Sequence, residues 1–166
     1  DLPQAVAAAV PGSVLQVRPG TYTGFSTNKP LRIVFDFTAT TGTVQAPSGA
    51  NYTIELNGLA VGQEFVIVGR GARITAGQLG AVRIANTQGS AVLRGLTVTA
   101  GTLPGLDVQN AASVIVENSF CGGLPGLQIQ DASLASSSVA WSSSVGFGAV
   151  ALRASLDCAH GSFTGW

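Results

Sequence analysis

From Ser13 onward the chain alternates apolar and polar positions, beginning with Val14-Leu15-Gln16-Val17, and a period of two predicts strands with one face turned to a core. Only the opening breaks this rule. In Leu2-Pro3-Gln4-Ala5-Val6-Ala7-Ala8-Ala9-Val10, proline is confined to the first turn, alanines fill the middle and Pro11-Gly12 stops the run, so a helix is predicted from Leu2 to Val10. Leu2, Val6, Ala9 and Val10 give it one apolar stripe. The expected organisation is a cap helix within residues 1–12 and a single all-β unit over 13–166.

A longer period lies over the alternation. Ile54-Glu55-Leu56-Asn57-Gly58, Val82-Arg83-Ile84-Ala85-Asn86, Leu106-Asp107-Val108-Gln109-Asn110, Leu127-Gln128-Ile129-Gln130-Asp131 and Val150-Ala151-Leu152-Arg153-Ala154 align at steps of 28, 24, 21 and 23 residues. A second column, Ile74, Val98, Phe120, Trp141 and Phe163, advances by 24, 22, 21 and 22. A third, less regular one runs through Ile33, Ile67, Val114 or Val116, and Leu156. Three short strands and three bends occupy roughly twenty to thirty residues, and such units stack at about 4.8 Å, the interstrand spacing. The chain is therefore expected to be a parallel solenoid of about six coils with three short strands per coil. The bend position Gly58, Asn86, Asn110, Asp131 and Ala154 carries mostly residues that tolerate a left-handed backbone, and stacked Asn amides can hydrogen-bond from coil to coil.

The helix followed by Val14-Leu15-Gln16-Val17-Arg18-Pro19-Gly20-Thr21-Tyr22 resembles the opening of right-handed parallel β-helices of the pectate-lyase-like superfamily, with their amphipathic cap, first strand and Pro-Gly-Thr-Tyr bend. The Asn column is similar to the asparagine ladder common in such helices, and the coil spacing extends the resemblance over essentially the whole chain. The resemblance implies a right-handed coil and is nearest in character to small bacterial members. Lyases of that superfamily hold calcium with clustered acidic residues and abstract a proton with a basic one, and its hydrolases use closely placed aspartates. Function does not follow from the fold alone.

Composition narrows the classes. Hydrophobic residues make up 46% of 166, charged residues 10%, and eight basic residues balance eight acidic ones. Such a chain folds, and it has no positive field to gather nucleic acid or anionic lipid. The longest uncharged stretch, Ala132 to Leu152, is interrupted by serines and glycines, so membrane insertion is not expected. The chain begins at Asp1 with no signal-peptide pattern, as a mature form or an excised domain would. The coil alignment places Cys121 outward and Cys158 inward on different faces, too far apart for a bridge. Two free thiols are expected, Cys158 protected and Cys121 accessible.

Candidate chemistry is sparse. The carboxylates Asp1, Asp36, Glu55, Glu64, Asp107, Glu117, Asp131 and Asp157 scatter over the coils, although both superfamily chemistries need convergent ones. Glu55, Arg83 and Asp107 do line up as outward neighbours on three successive coils, a pattern better explained by an ion-pair ladder than by a catalytic site. Asp157, His160 and Ser162 are close in sequence, but no nucleophile elbow or oxyanion-hole loop accompanies them. Cys121, Cys158 and His160 lack metal-ligand spacing, and Val68-Gly69-Arg70-Gly71 and Cys121-Gly122-Gly123 lack a phosphate-loop ending. No metal or cofactor is expected. The equivalent turns Leu103-Pro104-Gly105-Leu106 and Leu124-Pro125-Gly126-Leu127 are short and leave no long loop to wall a cleft.

If the second column points inward, Thr75, Thr97, Thr99, Ser119, Ser142, Ser162 and Thr164 face outward on a flat, hydroxyl-rich surface. Such a face fits a regular polysaccharide or, less well because Arg73 and Cys121 intrude, an ice plane. A sugar surface should also present an exposed aromatic ring, whereas the aromatics here fall mostly in inward columns. At the other end from the cap, Leu156, Phe163 and Trp166 are expected to form an apolar terminal patch, covered by further coils of a longer chain or by an end-to-end contact with a second copy. The sequence thus leads to a non-catalytic structural or adhesive, self-associating module of an extracellular or cell-surface protein. The alternative is a carbohydrate-active β-helix enzyme or polysaccharide-binding module.

Overall fold

The structure, a computed structural model, describes residues 1–36, 42–70, 72–143 and 148–164. It is an all-β parallel solenoid of about six turns with one short N-terminal helix. The helix α1 spans Leu2–Ala8 and turns Leu2 and Val6 into the core. It ends earlier than expected, with Ala9 already extended and Val10 exposed. Two causes act there. Pro11 disfavours helical backbone at Val10, and the Lys29 ammonium, reaching across from the first coil, donates to the carbonyls of Ala7 at 2.5 Å and Ala9 at 2.9 Å.

The strands stack into three faces. The first contains β1 (Val14–Val17), β4 (Arg32–Phe35), β7 (Glu64–Val68), the second halves of β9 (Gly80–Arg94) and β11 (Leu106–Glu117), β14 (Ser133–Ser137) and β17 (Ser155–Ala159). The second is a 7-stranded sheet of β2 (Thr21–Thr23), β5 (Gly42–Gln45), β8 (Ala72–Thr75), β10 (Thr97–Thr99), β12 (Phe120–Gly122), β15 (Ala140–Ser142) and β18 (Ser162–Thr164). The third contains β3 (Phe25–Thr27), β6 (Tyr52–Asn57), the first halves of β9 and β11, β13 (Leu127–Gln130) and β16 (Ala149–Leu152). Every one of these pairings is parallel, so each inward position is repeated one coil later. On the third face the column is Phe25, Ile54, Val82, Leu106, Leu127 and Ala149.

The bends explain why β9 and β11 run through a corner without losing their ladder. Gly58, Asn86, Asn110, Asp131 and Arg153 occupy one bend, all with positive φ. Asn86 donates from Nδ2 to Asn57 Oδ1 at 3.2 Å, and Asn110 donates to Asn86 Oδ1 at 3.1 Å, so the amides do form a ladder. It ends in a different chemistry, because Arg153 grips Asp131 through two nitrogens at 2.6 and 2.7 Å. This pair corrects the expected register of the last segment by one residue. Ala149, not Val150, pairs with Leu127, the bend residue is Arg153 and not Ala154, and Val150 and Leu152 therefore point outward and exposed. A second left-handed bend repeats through Arg70, Gly95, Asn118, Ser138 and His160.

The second face carries the larger correction. Its inward column is Tyr22, Val44, Ile74, Val98, Cys121, Trp141 and Phe163. Cys121 takes the place expected for Phe120 and is only 2% exposed, whereas Phe120 faces outward and is 39% exposed. Volume accounts for the exchange: Trp141 fills the next coil completely and stacks on Phe163, with centroids 6.4 Å apart, so a small thiol fits beneath it where a second benzyl group would overfill the column. The expected thiol exposures are reversed as well. Both cysteines are free, but Cys121 is buried, and Cys158, although inward, lies half-buried in the last described coil.

Candidate functional site

Outward positions of the second face form two columns across the coils. One reads Thr21, Thr43, Arg73, Thr97, Phe120, Ala140 and Ser162, and the other includes Thr75, Thr99, Gly122, Ser142 and Thr164. Six of the seven expected hydroxyl residues, Thr75, Thr97, Thr99, Ser142, Ser162 and Thr164, thus share one surface. Ser119 does not. It is buried in the corner before β12, where its hydroxyl donates to the Glu117 carbonyl at 2.8 Å and accepts from the Leu96 N–H at 3.2 Å. That pair of bonds satisfies two backbone groups at the turn, and Phe120, the next position, faces outward.

Phe120 lies in the middle of the hydroxyl surface, and its neighbour along the strand is Gly122. A Cβ at Gly122 would meet the ring's Cε1 at 2.9 Å and Cζ at 3.1 Å, so the ring leans flat across the space that a side chain there would fill. The outcome is a hollow of about 220 Å³ lined by Thr99, Ala100, Gly101, Phe120, Gly122, Gly123 and Ser142. It offers a flat aromatic ring, hydroxyls on the coils to either side and no ionisable group.

The third face carries the charged cluster. Glu55, Arg83 and Asp107 are register neighbours, as the spacing predicts. They are not a simple alternating ladder. Arg83 meets Glu55 at 3.4 Å, each side chain 28% exposed, but Asp107 turns instead to Tyr52 and Gln109 and is 1% exposed. Tyr52 donates to Asp107 Oδ2 at 2.6 Å, and the Gln109 amide donates to both carboxylate oxygens at 3.0 and 3.1 Å. Gln109 in turn accepts from Arg83 at 3.1 Å, and the Arg83 guanidinium lies 5.4 Å from the centre of the Tyr52 ring. Burial, reinforced by the bond to Asp107, pushes the Tyr52 hydroxyl far above its ordinary value. The Asp107 carboxylate is thus buried with its hydrogen-bonding capacity met by Tyr52 and Gln109. Beside it, Pro3, Phe25, Ser26, Pro47, Tyr52 and Glu55 contribute to a cleft of about 470 Å³.

The remaining candidates separate. Asp157 is exposed on the first face, His160 sits at a left-handed bend and Ser162 is on the second face; no hydrogen bond joins them. Among the described residues no group of three His, Cys, Asp or Glu side chains converges as metal ligands, and no helix is long and apolar enough to cross a membrane. Leu156 and Phe163 meet Gly148, Ala149 and Ala151 around a hollow of about 330 Å³, with Phe163 44% exposed; Trp166 lies outside the described residues.

Sequence reasoning missed Phe120, Tyr52 and Gln109. The signal for Phe120 is the bend, not the aromatic ring. Counting three residues on from Gly95, Asn118, Ser138 and His160 reaches Val98, Cys121, Trp141 and Phe163, the true inward column. Comparison with family models, curated proteins and solved structures gives no match.

Proposed function

We propose that this chain is a non-catalytic adhesive module of an extracellular or cell-surface protein, and that it holds an extended polysaccharide on the second face of the solenoid. The observation that carries the proposal is the outward Phe120 ring, lying flat over Gly122 between the hydroxyls of Thr99 and Ser142. An apolar ring face with polar groups around it matches the surface of a pyranose, which presents C–H groups on its faces and hydroxyls at its edge. The non-catalytic part is supported by the burial of Asp107 and by the placement of the charged cluster on a different face from the hollow. The cap helix, the three-faced coil and the ladder through Asn57, Asn86 and Asn110 support a relationship to pectate-lyase-like β-helices. Ice is a poorer fit, because Arg73, Phe120, Ala140 and Gly122 interrupt the hydroxyl columns.

Affinity electrophoresis through gels containing single polysaccharides tests this directly. Retardation by at least one polymer is expected, weakened about tenfold by Phe120→Ala, which corresponds to about 1.4 kcal/mol, with no unsaturated or reducing sugar released. Release of sugar that disappears in Asp107→Asn or Arg83→Ala would replace this proposal with the enzyme alternative. A second role, self-association, is favoured by the apolar hollow at Leu156 and Phe163. Light scattering over a range of concentrations decides it, with Phe163→Glu, which charges the lining of that hollow, as the disrupting variant; a monomer at every concentration removes it.

A further inference from the structure

The second face has more to say than that it is hydroxyl-rich, because its charges are distributed unevenly. The residues lining the Phe120 hollow are threonine, serine, alanine, glycine and phenylalanine. None can carry charge, so a carboxylate or sulfate brought into contact with the ring would lose water without gaining a counter-charge. Among the described outward residues of this face, Arg73 is the one ionisable group. Its register partners are Thr97 and then Phe120, which puts it two coils away, roughly 10 Å at the interstrand spacing. That separation is about one Debye length at physiological ionic strength, and Arg73 is exposed, so its charge reaches the hollow only after screening by salt. The hollow itself depends on the missing side chain at Gly122, which lets the Phe120 ring lie down instead of standing from the sheet.

Resting on the polysaccharide reading above, we infer that the face selects an uncharged glycan, one of whose pyranose rings stacks on Phe120 in the hollow over Gly122, with Thr99 and Ser142 exchanging hydrogen bonds with its edge hydroxyls. A glycan carrying uronate groups is disfavoured at this position. Binding by stacking and neutral hydrogen bonds involves no release of counterions, so affinity is nearly independent of salt, in contrast to capture by Arg73.

The test is a calorimetric and ligand-observed NMR titration with neutral gluco-, manno- and xylo-oligosaccharides and, in parallel, oligogalacturonates and oligoglucuronates, at low and high salt. The wild-type protein is compared with Gly122→Ala, Phe120→Leu and Arg73→Ala, each first shown to unfold at a temperature close to wild type. Expected is binding of at least one neutral series, unchanged by salt and by Arg73→Ala, and reduced about tenfold or more by Gly122→Ala, whose new methyl group displaces the ring. Phe120→Leu, which keeps apolar volume but loses the flat ring, should weaken it several-fold. Preference for uronates, lost at high salt or on Arg73→Ala, would overturn this inference while leaving the adhesive proposal standing. Neutral binding indifferent to both Gly122→Ala and Phe120→Leu would also overturn it. No binding by any series would defeat the polysaccharide proposal and this inference together.

Discussion

At the residue scale, one unit of parity separates a buried phenylalanine from an exposed one. Because strand side chains alternate, Phe120 goes out where Ser119 is buried at the corner and Cys121 goes in beneath Trp141. Thiol chemistry reports that parity. Burial pushes the Cys121 thiol up to about 12, so almost none of it is thiolate at neutral pH, whereas Cys158 is half-exposed and accepts from the Ser136 hydroxyl at 3.1 Å. A thiol reagent should therefore label Cys158 in the native protein and Cys121 only on unfolding, and Cys158→Ser should abolish the native reaction; native labelling of Cys121 would show that the strand is turned over. Asp107 makes a second residue-scale prediction. Replacing it with alanine orphans the Tyr52 hydroxyl and the Gln109 amide, at a cost of about 1–3 kcal/mol in chemical unfolding. A change no larger than that of an exposed carboxylate would mean that Asp107 is not buried. Asp131 supplies a pH dependence, for its bond to Arg153 holds its carboxyl down at about 2 against an ordinary 3.8. A depressed carboxyl pKa stabilises the fold above the unfolded value and ceases to do so as pH falls through the folded one. The small stability difference between wild type and Arg153→Ala should be present at neutral pH and vanish between about pH 4 and pH 2. A difference that persists below pH 2 would contradict this.

At the scale of elements, the bends are what make three short strands into a coil. Asn86 has φ 52° and both accepts and donates in the amide ladder. Asn86→Gly keeps the backbone and loses the bonds, whereas Asn86→Ala loses both, so alanine should be the more destabilising by about 1–2 kcal/mol. Equal effects would mean that the left-handed backbone costs nothing there. The strand repeat and this bend were legible in the sequence because apolar alternation and Asn recur at nearly constant intervals. The bend through Arg70, Gly95, Asn118, Ser138 and His160 was not, since five different side chains hide a single backbone conformation. For the same reason the second column was aligned on its aromatic rings, which placed Phe120 inward and Ser119 on the surface. The contact of Tyr52 with Asp107 was illegible for another reason: it joins residues 55 positions apart that only the stacked register brings to one place, whereas Gln109, two positions from Asp107 on the same strand, was within reach of the alternation. Of the two causes of the helix end at Ala8, Pro11 is local, but Lys29 lies twenty residues from Ala9, outside the range of any local rule.

At the scale of the whole molecule, a solenoid couples each coil only to its neighbours, so stability follows the number of covered sides. The last described strands, Ala149–Leu152, Ser155–Ala159 and Ser162–Thr164, carry mostly exposed residues, while Ile33, Ile67, Ile74 and Leu106 in the central coils are fully enclosed. Amide hydrogen exchange should accordingly be fastest in the final coil and slowest around β7 to β11; uniform protection would argue against coil-by-coil coupling. The same periodicity makes the three outer faces chemically distinct, with charge and amide groups on the third and hydroxyls around one exposed ring on the second. The proposed function lies on the second face, and hydroxyl-radical footprinting in the presence and absence of a bound neutral oligosaccharide tests that proposal most directly. Phe120 should oxidise readily in the free protein and be protected in the complex, while Phe163, exposed on the last coil, stays unchanged. A Phe120 as unreactive in the free protein as the buried Phe35, or one that oxidises equally with the sugar bound, would contradict it.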